Sequence, residues 1–370
     1  MKQSFEREIT RVLGKVPIVK NLARRKFIFQ FVVGLIKSRN VQFHRVAQHL
    51  NDQAKLTSNE VRIQDFFREV DLDYQFVALL LVSLLPAKGK LRLCIDRTEW
   101  DFGSCQVNVL MILVGSGSMQ VPLYWELLDN KSGNSSATDR IELLKRCVEL
   151  VGKERIGLVI GDREFVGHKW IKYLKDNGLL FLMRLPKHHS IERLDGQVVK
   201  VEQLIFESQR PLLLKDCLVD GVWGQVWVKP LEKGEYLFLF GTAKVELLGQ
   251  LYRKRWTIET CFQAFKERGF DLEKTHLKDL AKLKKLVALV SMAYSMCMSI
   301  GIYIDGKVQK IKRKNHGYKA NSFCRKGIDT IQEVFRPEQL LPEWMITRTK
   351  ALLRWISRQT SHYQPIKMAG

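Results

Sequence analysis

The spacing of apolar positions is helical in the first quarter of the chain and changes near residue 90. Phe43, Val46, Ala47 and Leu50 recur at intervals of three and four, which predicts a helix over residues 43–50. A polar break follows over residues 51–55. Thr57, Ser58 and Asn59 then offer N-caps, with Glu60 in the first turn, ahead of Val61, Ile63, Phe66 and Phe67. Helix, break, capped helix is the outline of a helix-turn-helix, an outline shared by many all-helical segments. Arg62, Gln64 and Arg68 are then the outward-facing candidates for DNA contact. From residue 90 the period shortens. Strands are expected over 91–96, 107–114 and 119–127, with Gly115-Ser116-Gly117-Ser118 as a hairpin-type turn between the last two. An amphipathic helix follows over 138–151, then a buried-type strand over 156–162, a helix over 168–176 and a strand over 179–184.

Three strands, helix, strand, helix, strand is the order of an α/β, ribonuclease-H-like domain, a mixed sheet with helices on its faces. Pro186 interrupts that order. Up to about residue 236 the pattern is all-β, with Asp195-Gly196 and Asp220-Gly221 set between β-branched runs as hairpin signals. Helical periodicity returns from about 245 to 268, and the remainder is helical and basic. The expected organisation is a helical DNA-binding region over 1–88 and a catalytic domain over 89–185 and 236–320. An inserted β-subdomain spans 186–235, and a basic helical region spans 321–370.

Composition sharpens this picture. Hydrophobic residues make up 46% of the 370, enough for a real core, and the formal net charge is +22. Such a surplus favours a polyanionic partner, either nucleic acid or an anionic membrane surface. Residues 286–304 are almost wholly apolar and about as long as a membrane span. Tyr294, Ser291, Ser295, Ser299 and Gly301 within that run favour a buried core helix. The seven cysteines are scattered singly, without a CxxC, so neither a disulfide framework nor a zinc site is expected. No apolar signal segment follows Met1, and a cytosolic protein without membrane attachment is expected. The amphipathic run 348–358, with Leu352, Leu353, Trp355 and Ile356, would serve a partner subunit or the core.

The candidate chemistry lies in acids. Asp96 and Asp162 each close an expected strand, and neighbouring carboxylates repel unless a cation or proton lies between them. Magnesium suits such a pair because it prefers carboxylate oxygen. Acids after buried strands also serve as turn and cap residues. Tyr252, Arg255, Glu259 and Lys266 fall within about 60° of one another on a helix over 252–266. That face could be a solvated one, its Arg–Glu pair contributing a few tenths of a kcal/mol. Trp256, Ile258, Phe262 and Phe265 argue instead for a packed helix whose polar face lines a site. Glu99, Asp101, Asp139 and Glu164 read as surface or cap residues, and Glu267 points about 100° away from Glu259. The eight histidines show no metal spacing, and His188-His189 reads as exposed loop.

The spacing Tyr252-x2-Arg255-x3-Glu259-x6-Lys266 resembles the YREK signature of bacterial insertion-sequence DDE transposases of the insertion-sequence-four type. The resemblance is to the branch with a β-insertion between its second Asp and its Glu. Asp96-Arg97-Thr98-Glu99-Trp100 and Gly161-Asp162-Arg163-Glu164-Phe165 resemble the segments around that family's first and second Asp. The match covers roughly residues 90–320. It implies two magnesium ions, with manganese as a substitute, flanking the scissile phosphate: Asp96 bridges both, while Asp162 and Glu259 hold one each. It implies phosphate contacts from Arg255 and Lys266 and a phosphate hydrogen bond from Tyr252. Relatives in this branch stack a flipped base on an aromatic of the insertion. Trp223 or Trp227 is the candidate, unless either merely packs its hairpin. The implied partners are double-stranded DNA, both terminal inverted repeats and target, and a second copy of the chain when ends are paired in the bacterial nucleoid. A nuclease that cleaves without joining and a non-catalytic DNA-binding derivative are the alternatives.

Overall fold

Among the described residues, four helices precede the first strand: α1 (Leu22–Ser38), α2 (Phe43–Ala47), α3 (Leu56–Glu69) and α4 (Tyr74–Ser83). The computed structural model describes residues 18–335 and 347, apart from 52, 87, 103–104, 129–133, 206–210, 243–247 and 316. Asn21 and Asp73 cap α1 and α4 through their side chains. The capping expected in residues 57–59 is not found. α3 starts one residue earlier behind Lys55, which makes no side-chain cap. Asn59 is used differently: it is buried, and its Nδ2 donates to the carbonyls of Ala47 (3.2 Å) and Asn51 (2.9 Å). It therefore braces the break between α2 and α3 from within.

Ten strands form one mixed sheet: β1 (Leu91–Phe102), β2 (Cys105–Ser116), β3 (Met119–Leu128), β4 (Ile156–Gly161), β5 (Phe181–Arg184), β6 (Ser190–Glu192), β7 (Val198–Lys200), β8 (Leu212–Val219), β9 (Val222–Pro230) and β10 (Tyr236–Gly241). Their order is β3-β2-β1-β4-β5-β10-β9-β8-β6-β7. The first three form an antiparallel meander, while β1, β4 and β5 run parallel. The crossovers carry α5 (Ala137–Val151) and α6 (His168–Asp176). This is the ribonuclease-H-like arrangement expected. The strands between residues 186 and 241 extend the same sheet, because β10 pairs antiparallel with β5 and β9, β8, β6 and β7 continue to the edge. Val219 pairs with Val222 around Asp220 and Gly221, both at positive φ (50° and 77°), as a two-residue primed turn requires.

The single helix expected over 252–266 is interrupted. α7 (Leu248–Tyr252) passes into a 3₁₀ turn over Arg253–Arg255 before α8 (Trp256–Phe265) begins. Behind them lies α9 (Leu280–Tyr303), which by length and composition could cross a membrane. Within the protein 83% of its apolar window is buried, and it packs on β3, α1 and α10 (Phe323–Val334). Its buried Lys285 donates to the carbonyls of Phe66 (3.4 Å) and Phe67 (3.0 Å) in the last turn of α3, where a cation complements the helix dipole. The six cysteines whose side chains are described are buried free thiols. The run 348–358 lies outside the described residues.

Candidate active site

Asp96 does not close its strand as expected. β1 continues to Phe102 because its hairpin ladder with β2 continues, and Asp96 pairs there with Met111. The parallel pairing of β1 with β4, however, covers only Leu91–Cys94, so Asp96 emerges just beyond the parallel part of the sheet. Asp162 follows directly on β4. Glu259 stands in the first turn of α8.

These three carboxylates meet one guanidinium. Arg255 is 7% exposed, and its Nη1 lies 3.0 Å from Asp96 Oδ2 and 3.7 Å from Asp162 Oδ2. Its Nη2 donates to Glu259 Oε1. Tyr252 Oη donates to Asp162 Oδ1 at 3.1 Å, and the Arg97 amide donates to Asp96 Oδ1 at 2.8 Å. Arg184, which the sequence did not single out, comes within 3.8 Å of Asp162 Oδ1.

Burial pushes the Asp96 carboxyl up to about 7, against the downward pull of Arg255 and the Arg97 amide; nearby Asp162 and Glu164 push the same way as burial. Burial also opposes the charge on Arg255, but Tyr252, Asp162, Asp96 and Glu259 together hold it above its ordinary value. Tyr252 is held well above its own, first by burial, although Arg255 lowers it.

An all-oxygen set of three acids gathered on one cationic centre has the donor chemistry of a magnesium- or manganese-type site. As the side chains lie, no three acidic, histidine or cysteine groups among the described residues stand close enough to hold an ion. The guanidinium of Arg255 lies among the three carboxylates. By donor type alone, the three carboxylates fit a divalent metal.

A second network braces this cluster. Glu164, expected as a surface or cap residue, is largely buried. It accepts from Arg97 Nε (3.0 Å) and Ser135 Oγ (2.9 Å) and lies 3.8 Å from Arg140. Arg97 also donates to Asn108 (2.5 Å) and Glu99 (2.8 Å). The segment after β4 is thereby tied to β1 and β2. Only the contacts reveal this role, since one acid two residues after Asp162 carries no distinguishing pattern. Asp139 closes a capping box with Ser136 at the start of α5. His188 is exposed, whereas His189 is mostly covered and lies 3.3 Å from Asp220.

The remaining candidates separate. Lys266 is not drawn to the acid cluster: it ends α8, donates to the Glu99 carbonyl (2.7 Å) and pairs with Glu273 (3.2 Å). Trp223 stands 45% exposed on β9. Trp227, on the same strand, is half-buried against α7, where a Cβ on Gly249 would come within 2.5 Å of its ring. Gln64 is exposed, Arg62 lies over the Phe27 ring (5.4 Å), and Arg68 is paired with Asp65 (2.6 Å) and Glu69 (3.1 Å).

A strand-paired aspartate, a second just beyond the neighbouring strand β4 and a helical glutamate thus stand together around Arg255. The chain belongs to the transposase DDE domain family, whose profile matches residues 109–296. The matched span includes Asp162, Tyr252, Arg255 and Glu259; Asp96 lies ahead of it. Membership implies a divalent-metal-dependent enzyme of DNA cleavage and strand transfer. Among solved structures the chain is similar to a cryo-EM structure of a piggyBac transposase synaptic complex with hairpin DNA. The identity is 12% and the TM-score 0.44, covering 99% of this chain and 84% of that chain. No curated protein matches this sequence.

Proposed function

We propose that this transposase binds the terminal inverted repeats of its own element, hydrolyses the phosphodiester at each end and joins the ends to target DNA. The reading includes membership of the insertion-sequence-four type with its YREK signature, and the division of the chain at residues 88, 185, 235 and 320 given above. Its carrying observation is the convergence of Asp96, Asp162 and Glu259 on Arg255.

Asp96, Asp162 and Glu259 are the residues that would hold magnesium, with manganese as a substitute. When bound, the metal supplies Lewis-acid activation of the phosphodiester and of the attacking water or 3′-hydroxyl. Arg255, released from the acids, turns its planar fork to a backbone phosphate, a role that Lys266 shares as a point charge. Tyr252 keeps its hydroxyl proton at neutral pH and donates it to a phosphate oxygen in place of Asp162 Oδ1. Glu164 and Arg97 hold the two aspartates in register from behind. Trp223 is favoured over Trp227 as the platform for a flipped base, because it is exposed. Arg62 and Gln64 are placed on DNA ahead of Arg68, whose charge two acids already offset. A pair of chains on two element ends, in the bacterial cytoplasm, completes the reading.

A second reading, a DNA-binding derivative without catalysis, is favoured by Arg255 filling the cation position. One assay separates the two: a labelled duplex carrying the DNA that flanks the coding region, incubated with magnesium or manganese and with wild type or Glu259→Gln. The transposase reading expects nicking at the element boundary and joined products. Both are lost in the variant by at least about a hundredfold while binding persists. Tight binding without cleavage by either protein, in either metal, sinks it.

A further inference from the structure

Thr260, Gln263 and Ala264 of α8 line a cavity of about 410 Å³ whose lining includes none of the three carboxylates. Three arginines from three parts of the chain close it: Arg39 at the end of α1, Arg268 beyond α8 and Arg325 in the first turn of α10. Ser322, the N-cap of α10, completes the rim, and no acidic side chain is among the lining residues described.

Arg39 is the most telling of the three. Its backbone adopts the left-handed conformation (φ 53°) that ends α1. Glycine serves that position without strain, whereas other residues are strained there. Strain of this kind persists where the surroundings over-determine it, often at ligand sites. Its Nη2 donates to the Arg268 carbonyl (3.3 Å), which fixes the guanidinium, yet its buried Nε has no hydrogen-bond partner among the described residues. Burial, and next the neighbouring Arg325, lower its pKa below the ordinary value. Arg325 is held by Asp329 (2.8 Å) on a helix that cannot easily move. A Cβ on Gly301 would overlap the Phe323 carbonyl, and one on Gly327 the Cys297 carbonyl, so α9 and α10 touch backbone to backbone. Guanidinium groups, hydroxyls and a helix N-terminus around one cavity are the donor set for a phosphate.

We propose that this cavity is a second phosphate-binding site, separate from the carboxylate cluster, which grips the DNA backbone beside α8. The assignment to DNA rests on the transposase reading; the assignment to phosphate does not. Gripping DNA at this point fixes α8, and with it Glu259, against the duplex.

The test is fluorescence anisotropy of a labelled duplex of arbitrary sequence titrated with the full chain across a salt series. Wild type is compared with Arg39→Gln, Arg268→Gln and Arg268→Lys, each checked for folding by circular dichroism. Each phosphate contact contributes about 0.9 to the slope of log affinity against log salt. The proposal expects each Gln variant to lose about that much and Arg268→Lys to keep it. Wild-type slopes in both folded Gln variants overturn it. Thermal shifts in inorganic phosphate separate the two sources of the anion. If phosphate raises the wild-type Tm but not that of the variants, while the DNA slopes stay equal, the site takes free phosphate and the DNA assignment falls. Metal-dependent nicking is read on the same preparations. Absence of nicking on the duplex that carries the element's flanking ends, alongside a reduced slope on arbitrary duplex, refutes the catalytic reading and leaves this site standing.

Discussion

At Asp96, burial and charge pull in opposite directions. Its pKa of about 7 lies above the ordinary 3.8, so the folded state holds the proton more tightly than the unfolded chain. The stability this carboxyl contributes is therefore full below about pH 4 and is lost as pH rises towards 7. Above that, the metal-free protein carries an ionised buried acid at a cost of a few kcal/mol, since each tenfold difference in proton affinity between folded and unfolded chain is worth about 1.4 kcal/mol. Asp96→Asn should thus raise the Tm of metal-free protein at pH 8 and change it little at pH 4. A variant no more stable than wild type at pH 8 would contradict this balance. Much of this cluster was legible beforehand. The spacing of Tyr252, Arg255 and Glu259 placed them on one side of the chain, and Asp162 followed from its strand pattern, whereas β1 runs on past Asp96. That Arg255 would bridge all three acids was not legible, because helical spacing defines a face without saying which sheet residues it meets. Lys266 departs for a related reason: it stands where α8 ends (ψ −108°), outside the helical face on which the wheel placed it.

On the scale of elements, β9 and α7 show how one strand carries two tryptophans with different work. Trp227 fills space against Gly249 in α7, the helix that ends in Tyr252; Trp223 faces outward. Trp227→Ala should cost on the order of 2 kcal/mol of stability, seen as a lower Tm. Trp223→Ala should leave the Tm unchanged and weaken binding to the element's end about tenfold, the worth of one stacked base. Equal end-binding by Trp223→Ala and wild type would remove the stacking role. The succession of strands and helices over 91–184, the buried α9 and the Asp220-Gly221 turn could all be read from periodicity and turn chemistry, whereas the joining of the later strands to the same sheet could not. The 3₁₀ turn over Arg253–Arg255 could not, since no Gly or Pro marks it. Nor could the brace at Asn59, because the residue types that cap helices also satisfy buried carbonyls.

Taken as a whole, the molecule is a sheet whose two halves are built differently but paired continuously, backed by one apolar helix that also anchors the N-terminal helices through Lys285. The chain carries a net charge of +22, which suits a polyanionic partner. Within the candidate site Arg255 holds the three carboxylates together, and the proposed function has it give way to a divalent metal. The most direct test is isothermal titration of the full chain with manganese at pH 8, comparing wild type with Asp162→Asn and Glu259→Gln. Saturable binding by wild type, weakened more than about tenfold in each folded variant, is the predicted result. Equal manganese affinity in all three proteins would show that these carboxylates are not a metal site.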